Sequence, residues 1–448
     1  MKAFLIAGTH SGSGKTIVTM GVMAALVNMG LKVQPFKCGP DFIDPTLHRL
    51  ITGRTSRNLD LWMCGDAFVA DTFSTHAAKA DVAVVEGVMG LFDGGTSSSA
   101  SLAKSLGLPV ILVIDVRSCA ETVAAVVKGF EAFDPGLVQG VIFNRVGSRR
   151  HLELLKDSVT RHCATQIVGY LPRDIDFEMP SRHLGLFMGD EAPIDKNAIK
   201  KLKNTVSECI DIKKLLCLEA APRQLETAKP EGVKALSRQK MGLGVARDEA
   251  FCFYYEDNLD IFRKMGAEII EFSPLHDASL PDGLNAIYLG GGYPELYAEK
   301  LSLNHGMLSS IKDWSSRGGF IYAECGGFMY LTEGIETTDK KFYPMAGVYP
   351  VRASMKGRLS ALGYKEIYLA GETFFGRTGT VLKGHEFHYS VIGEMPSSVK
   401  RVFKLADGGR EGHLIKNTLG TYVHIHFGET PWAVRNFTKS CVEAACGD

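Results

Sequence analysis

The sequence predicts an α/β protein of two domains with mostly parallel sheets, and three observations predict it. Short, continuously apolar runs alternate with helix-length segments, which is how strands buried on both faces read when helices cover a parallel sheet. That rhythm lapses once, over residues 217–240, and restarts at Gly242. The length, 448 residues, exceeds one ordinary core and suits domains of roughly 100–200 residues. The expected division is therefore 1–216, a linker over 217–240 rich in charge and carrying two prolines, and 241–448.

In the first half the apolar runs are AFLIAGT, KVQPFKCG, DVAVVEG, PVILVIDV, LVQGVIFNRV and QIVGYLP. The first leads into AGTHSGSGKT, residues 7–16, and then into the helix-like TIVTMGVMAALVNMG. A P-loop reads G-x-x-x-x-G-K-[ST]. Here five residues separate Gly8 from Gly14, and Thr9 holds the first-glycine position. The physics survives the mismatch. Gly12, Ser13 and Gly14 can turn free backbone N–H groups toward a phosphate at a helix start, Lys15 can reach the terminal phosphates, and Thr16 can ligate Mg²⁺.

Ligands of open α/β sheets lie beyond the carboxyl ends of the strands, and several chemically useful residues fall there. Glu86, ending VAVVE, is either a Mg²⁺ ligand shared with Thr16 or an ordinary strand-end carboxylate. Lys37, Asp41 and Asp44 sit on the stiff PFKCGPDFIDP loop, which is either a rigid turn or a substrate platform. Asn144, closing VIFN, has the donors and acceptor to read a purine edge.

Composition narrows the class. Lys plus Arg equals Asp plus Glu at 50 each, so no global field recruits nucleic acid or an acidic membrane. Ten cysteines are scattered without a C-x-x-C pair or zinc spacing. They suit reduced thiols, and with no long apolar stretch or cleavage pattern a cytoplasmic protein is expected. A homodimer is compatible with all of this.

The second half repeats the rhythm with GLGVARD, AEIIEFSP, NAIYLGGG and GFIYAECGG. Cys325 falls between strand and helix with Ala323 and Gly327 on either side, a nucleophile elbow with Cys for Ser. A helix start should also favour its thiolate. Gly291, Gly292 and Gly326 are the candidate oxyanion donors. His424 and His426 in GTYVHIHFG are candidate bases that alternation turns the same way, so spacing alone does not choose between them.

These residues, with the phrases KCGPDFIDP, VVEGVMGLFDG, VIFNRV, PSRHLGL, VARDEAFCFYY, LGGGYPELYA, AECGGFMYL and KGHEFHYS, resemble the cobyrinate a,c-diamide synthase family over essentially the whole chain. The resemblance implies a dethiobiotin-synthetase-like P-loop domain followed by a class I glutamine amidotransferase domain. It implies Cys325 as nucleophile and His424 as base, ATP and Mg²⁺ as requirements, and cobyrinate and L-glutamine as substrates. Two positions depart from pattern. Class I amidotransferases usually carry Glu two residues after the base, where this chain has His426, as its subgroup does. Lys383 replaces the family's Arg in the GHEFH phrase, whose His385, Glu386 and His388 read equally as a structural strand or a substrate-facing patch.

The resemblance also implies a reaction: a carboxylate activated as an acyl phosphate, then amidated with ammonia from glutamine. Within that chemistry the alternative is a Ni-sirohydrochlorin a,c-diamide synthase. Outside it, the alternative is a P-loop switch with a sensor domain. Partition-type switches carry a lysine five residues before the loop lysine, where this chain has His10.

Overall fold

The computed structural model describes residues 1–175, 181–182, 185–186, 196–220 and 241–446. They form two compact units, Met1–Pro230 and Glu231–Asp448. Most of the expected linker, residues 221–240, lies outside the described residues, as do parts of PSRHLGL. Its first residues belong to the first unit. Cys217 closes the helix Ile212–Cys217, and Leu218 is buried in the core, where a Cβ on Gly140 would lie 2.9 Å from it.

The first unit is built on β1 (Lys2–Gly8), β2 (Val33–Cys38), β3 (Arg57–Leu59), β4 (Val82–Gly90), β5 (Val110–Asp115), β6 (Val138–Val146) and β7 (Gln166–Pro172). Their order in the sheet is β3-β2-β4-β1-β5-β6-β7, and every ladder is parallel. Six of these strands are the apolar runs of the sequence. The seventh, β3, reads Arg-Asn-Leu and sits at the edge, where no long apolar run is required.

Helix α1 (Lys15–Asn28) follows β1 and presses its apolar face into the core with Phe4, Ile6, Val84, Ile111 and Ile142. Because every ladder is parallel, the loops after β1, β2, β4 and β6 open at one edge, and β1, with β4 on one side and β5 on the other, marks the switch point where ligands bind.

The second unit has a ten-stranded sheet with two characters. Ala267–Phe272, Met241–Ala246, Ala286–Leu289, Phe320–Glu324 and Thr418–Thr421 are adjacent and parallel. Beyond them Arg410–Ile415, Lys400–Leu405, Ala361–Leu369, Val381–His388 and His424–Ile425 continue antiparallel. The antiparallel part adds to the sequence expectation. Its strands leave one face partly in solvent, so they lack the continuous apolar runs that marked the others. Among the described residues no helix is long and apolar enough to cross a membrane.

Candidate active sites

In the first unit the loop between β1 and α1 is held by its surroundings rather than by itself. Gly14 caps α1 at φ 92°, and a Cβ there would lie 2.0 Å from Nδ2 of Asn144. Both the backbone angle and the space demand glycine. The Asn144 amide nitrogen donates to the Ser13 carbonyl at 2.9 Å. Next to it Arg145, at φ 65°, donates to the Gly12 carbonyl at 3.2 Å and ion-pairs with Asp115 at 2.5 Å. Two successive residues thus hold two successive loop carbonyls. One of the Asn144 donors expected at a purine edge is used to brace the phosphate loop instead.

Below the loop lies a buried charge network. Thr16 Oγ1 donates to Glu86 Oε1 at 2.7 Å, and His48 Nε2 is 2.7 Å from Glu86 Oε2. The Lys37 ammonium reaches Asp44 at 2.5 Å, the Gly87 carbonyl at 3.1 Å, Glu86 at 3.2 Å and Asp41 at 3.6 Å. Glu86 is wholly buried. Burial opposes its charge, but Lys37, His48 and Thr16 outweigh that and hold the carboxyl well below its usual range.

Lys37 remains charged, because its carboxylates overcome the cost of burial. Three carboxylates outnumber the one ammonium, and burial with repulsion from Asp41 and Glu86 pushes Asp44 upward. The network therefore gathers the sequence candidates Lys37, Asp41, Asp44, Glu86 and Thr16, and adds His48. Burial, with Lys37 nearby, lowers Lys15. His48, Arg145 and Asp115 were not singled out from sequence. Asp115 ends β5 and Arg145 lies one residue before the end of β6, which was the available signal; His48, midway along the helix Asp44–Thr52, gave none.

The second unit presents Cys325 at φ 46°, ψ −103°, a backbone strain found at nucleophile elbows. Its N–H donates to the Thr421 carbonyl at 2.8 Å. The thiol does not gain the expected helix-start stabilisation. Burial, then the nearby Glu295 carboxylate, raise it well above its usual value, and the Gly326 N–H offsets only part of this. The helix Gly326–Tyr330 has one turn, too little dipole to outweigh desolvation. A thiol so placed needs a base.

His424 packs on the glycine pair beside the elbow. A Cβ on Gly291 would lie 2.4 Å from Cε1 of His424, and one on Gly326 would lie 3.0 Å from the Gly292 nitrogen. The Gly291–Gly292 pair is thus packed between the imidazole and the elbow. Gly290, by contrast, donates to the Tyr254 hydroxyl at 2.8 Å and accepts from Gly327 N–H.

His426 lies against Tyr255, with ring centroids 4.9 Å apart, and its Nδ1 accepts from Gly428 N–H. Burial lowers it to about 3, so it is neutral. His385 pairs with His424 across the antiparallel ladder and stacks on it at 5.1 Å. His388 stacks on Tyr422 at 4.0 Å, Glu386 ion-pairs with Lys365 at 2.9 Å, and Lys383 ion-pairs with Glu429 at 2.7 Å. Through His385, the GHEFH strand packs against His424.

A phosphate cradle over buried carboxylates in one unit, and an elbow cysteine near a buried histidine in the other, define a nucleotide-binding domain joined to a glutamine amidotransferase. Residues 4–187 match the CobQ/CobB/MinD/ParA nucleotide binding domain, and residues 242–432 match the CobB/CobQ-like glutamine amidotransferase domain. Cobyrinate a,c-diamide synthases of Caldanaerobacter subterraneus subsp. tengcongensis and Syntrophotalea carbinolica are 40% and 43% identical to it, each match covering 98% of both chains. That of Salmonella typhimurium is 40% identical over 96% of both. The chain belongs to the cobyrinate a,c-diamide synthase family.

Proposed function

We infer that this chain catalyses the ATP- and glutamine-dependent amidation of the a and c acetate side chains of cobyrinate, a step of cobalamin biosynthesis. The observation that supports it most is the presence of both half-sites on one chain that is alike over nearly its whole length to synthases of that name. A carboxylate resists ammonia because its oxygen is a poor leaving group. Gly12, Ser13, Gly14 and Lys15 hold the ATP phosphates while the substrate carboxylate attacks the γ-phosphorus and ADP leaves, giving an acyl phosphate. Ammonia then attacks the acyl carbon and inorganic phosphate departs.

Thr16 Oγ1 and Glu86 Oε1 offer two hard oxygens 2.7 Å apart beside the cradle, a donor set that fits Mg²⁺. These two residues would hold the ion, which neutralises charge on the transferring phosphoryl group. Lys37 keeps Glu86 ionised and oriented.

In the second unit, His424 takes the Cys325 proton, and the thiolate attacks the glutamine side-chain carbonyl. Gly291, Gly292 and Gly326 N–H groups receive the developing oxyanion. The C–N bond breaks, the imidazolium gives its proton to the departing ammonia, and water hydrolyses the thioester to glutamate. Assaying the pure protein with ATP, glutamine and either cobyrinate or Ni-sirohydrochlorin tests the reading. Phosphate and glutamate release with cobyrinate is expected. Turnover only with Ni-sirohydrochlorin would reassign the substrate, and neither would return the chain to a switch.

A further inference from the structure

His424 needs a group at Nδ1 that keeps the other nitrogen, Nε2, ready to accept the thiol proton. The position where class I amidotransferases place that carboxylate holds His426, which carries no charge. A different carboxylate reaches the same imidazole. Glu324, the residue before the nucleophile, lies 1% exposed with Oε2 3.7 Å from His424 Nδ1.

Its other partners fix it there. Oε1 accepts from the Tyr322 hydroxyl and from Ile425 N–H at 3.0 Å, and Oε2 accepts from the Tyr288 hydroxyl at 2.9 Å. An ionised carboxylate has about four lone-pair sites. Three are filled, and the fourth belongs to the oxygen beside Nδ1. Tyr288 and Tyr322 are kept protonated by burial and by the Glu324 charge, so they remain donors. The remaining gap is wider than a hydrogen bond, as in many sites before substrate tightens them. The same strand pair sets both ends, since Glu324 registers with Thr421, three residues before His424. The ring that stacks on His424 cannot supply the charge: His385 is itself kept neutral by burial and its Nδ1 is 2.8 Å from the Tyr255 hydroxyl.

We propose that Glu324 is the positioning residue of the glutaminase, accepting the Nδ1–H of His424 and fixing the tautomer whose Nε2 faces Cys325. This rests on the glutaminase reading of the second unit. Glu324→Gln keeps the shape and can still accept from Tyr322 and Ile425, but presents an N–H donor to Nδ1 and so favours the wrong tautomer. In the full-length enzyme, glutaminase kcat should fall roughly 100-fold or more while KM for glutamine changes less than about threefold. Amidation driven by ammonium salt should persist.

Imidazole ¹⁵N spectra, with the His424 signal assigned by its loss in His424→Gln, should report the Nδ1–H tautomer in the native protein. They should report Nε2–H in Glu324→Gln. Near-normal glutaminase in a folded Glu324→Gln protein, or an Nε2–H tautomer in the native one, overturns the proposal. The native spectrum decides even if the variant does not fold. If Cys325→Ser retained glutamine hydrolysis, the underlying glutaminase reading would fail; if Cys325→Ser were dead and Glu324→Gln active, only the role of Glu324 would.

Discussion

The two sites bury polar groups in opposite ways. Under the phosphate loop, Lys37 is ion-paired with Asp41, Asp44 and Glu86, with Glu86 forced into its ionised form and Asp44 pushed toward its neutral one. Around the elbow, Glu324 excepted, burial strips charge away: His385 and His426 are neutral and the Cys325 thiol is protonated. The contrast follows from the ligands. A polyphosphate brings charge that fixed ions must meet, whereas glutamine is uncharged at its reacting amide, and acid–base chemistry there needs groups that can exchange a proton.

The comparison is tested most severely by separating the sites. Lys15→Ala should abolish amidation with glutamine and with ammonium salt alike, because acyl phosphate is not formed. Cys325→Ser should abolish only the glutamine-driven reaction. Product formation measured with each nitrogen source checks both, and loss of the ammonium-driven reaction in a folded Cys325→Ser protein would mean that the cysteine serves more than the glutaminase.

A smaller effect separates the two histidines. His424→Ala should lower glutaminase turnover by about 10²–10⁴, the range for loss of a general base, and His426→Ala by about tenfold or less. Thioester trapping at Cys325 reads this directly. If the ranking were reversed, the base would be His426.

Next in size, Glu86→Gln removes the charge but keeps the shape. Turnover should fall about 10- to 100-fold while ATP affinity changes little. Equilibrium nucleotide binding beside steady-state rates distinguishes this from a packing role, which would leave both near normal.

The smallest effect is on stability. His426 is depressed to about 3 in the folded chain from an ordinary 6.5, so between those values the unfolded chain binds a proton that the folded one refuses. Stability contributed by this group is present above 6.5 and is lost as pH falls. By pH 5 that amounts to about 2 kcal/mol. Thermal melts from pH 7 to 5 should fall less steeply for His426→Gln; an identical slope would show that His426 can protonate in place.

Much of this was legible because the informative residues announce themselves locally. The phosphate loop is a single stretch joining an apolar strand to a helix, so a one-residue departure from the P-loop spacing did not hide Lys15 and Thr16. Cys325 stood out from nine other cysteines through its small neighbours. The antiparallel strands were missed because Lys400–Leu405 and Ala361–Leu369 expose one face and lack the apolar run that marked Phe320–Glu324. The helix-start argument for the Cys325 thiolate failed because burial was not visible beside it.

What the sequence determined by itself was the chemistry available: two α/β units, a phosphate cradle, a cysteine at an elbow, and a family resemblance that pointed to His424 as its proposed base. Those features depend on residues within a few positions of each other, where backbone geometry couples them directly. The tertiary structure alone decided which distant groups meet at each site: Asn144 and Arg145 behind the loop, His48 on Glu86, His385 on His424, and Glu324 at the Nδ1 edge of His424. Hydrogen bonds and charge act over a few ångströms in space, and strand order, which no local pattern encodes, sets which residues come within that reach.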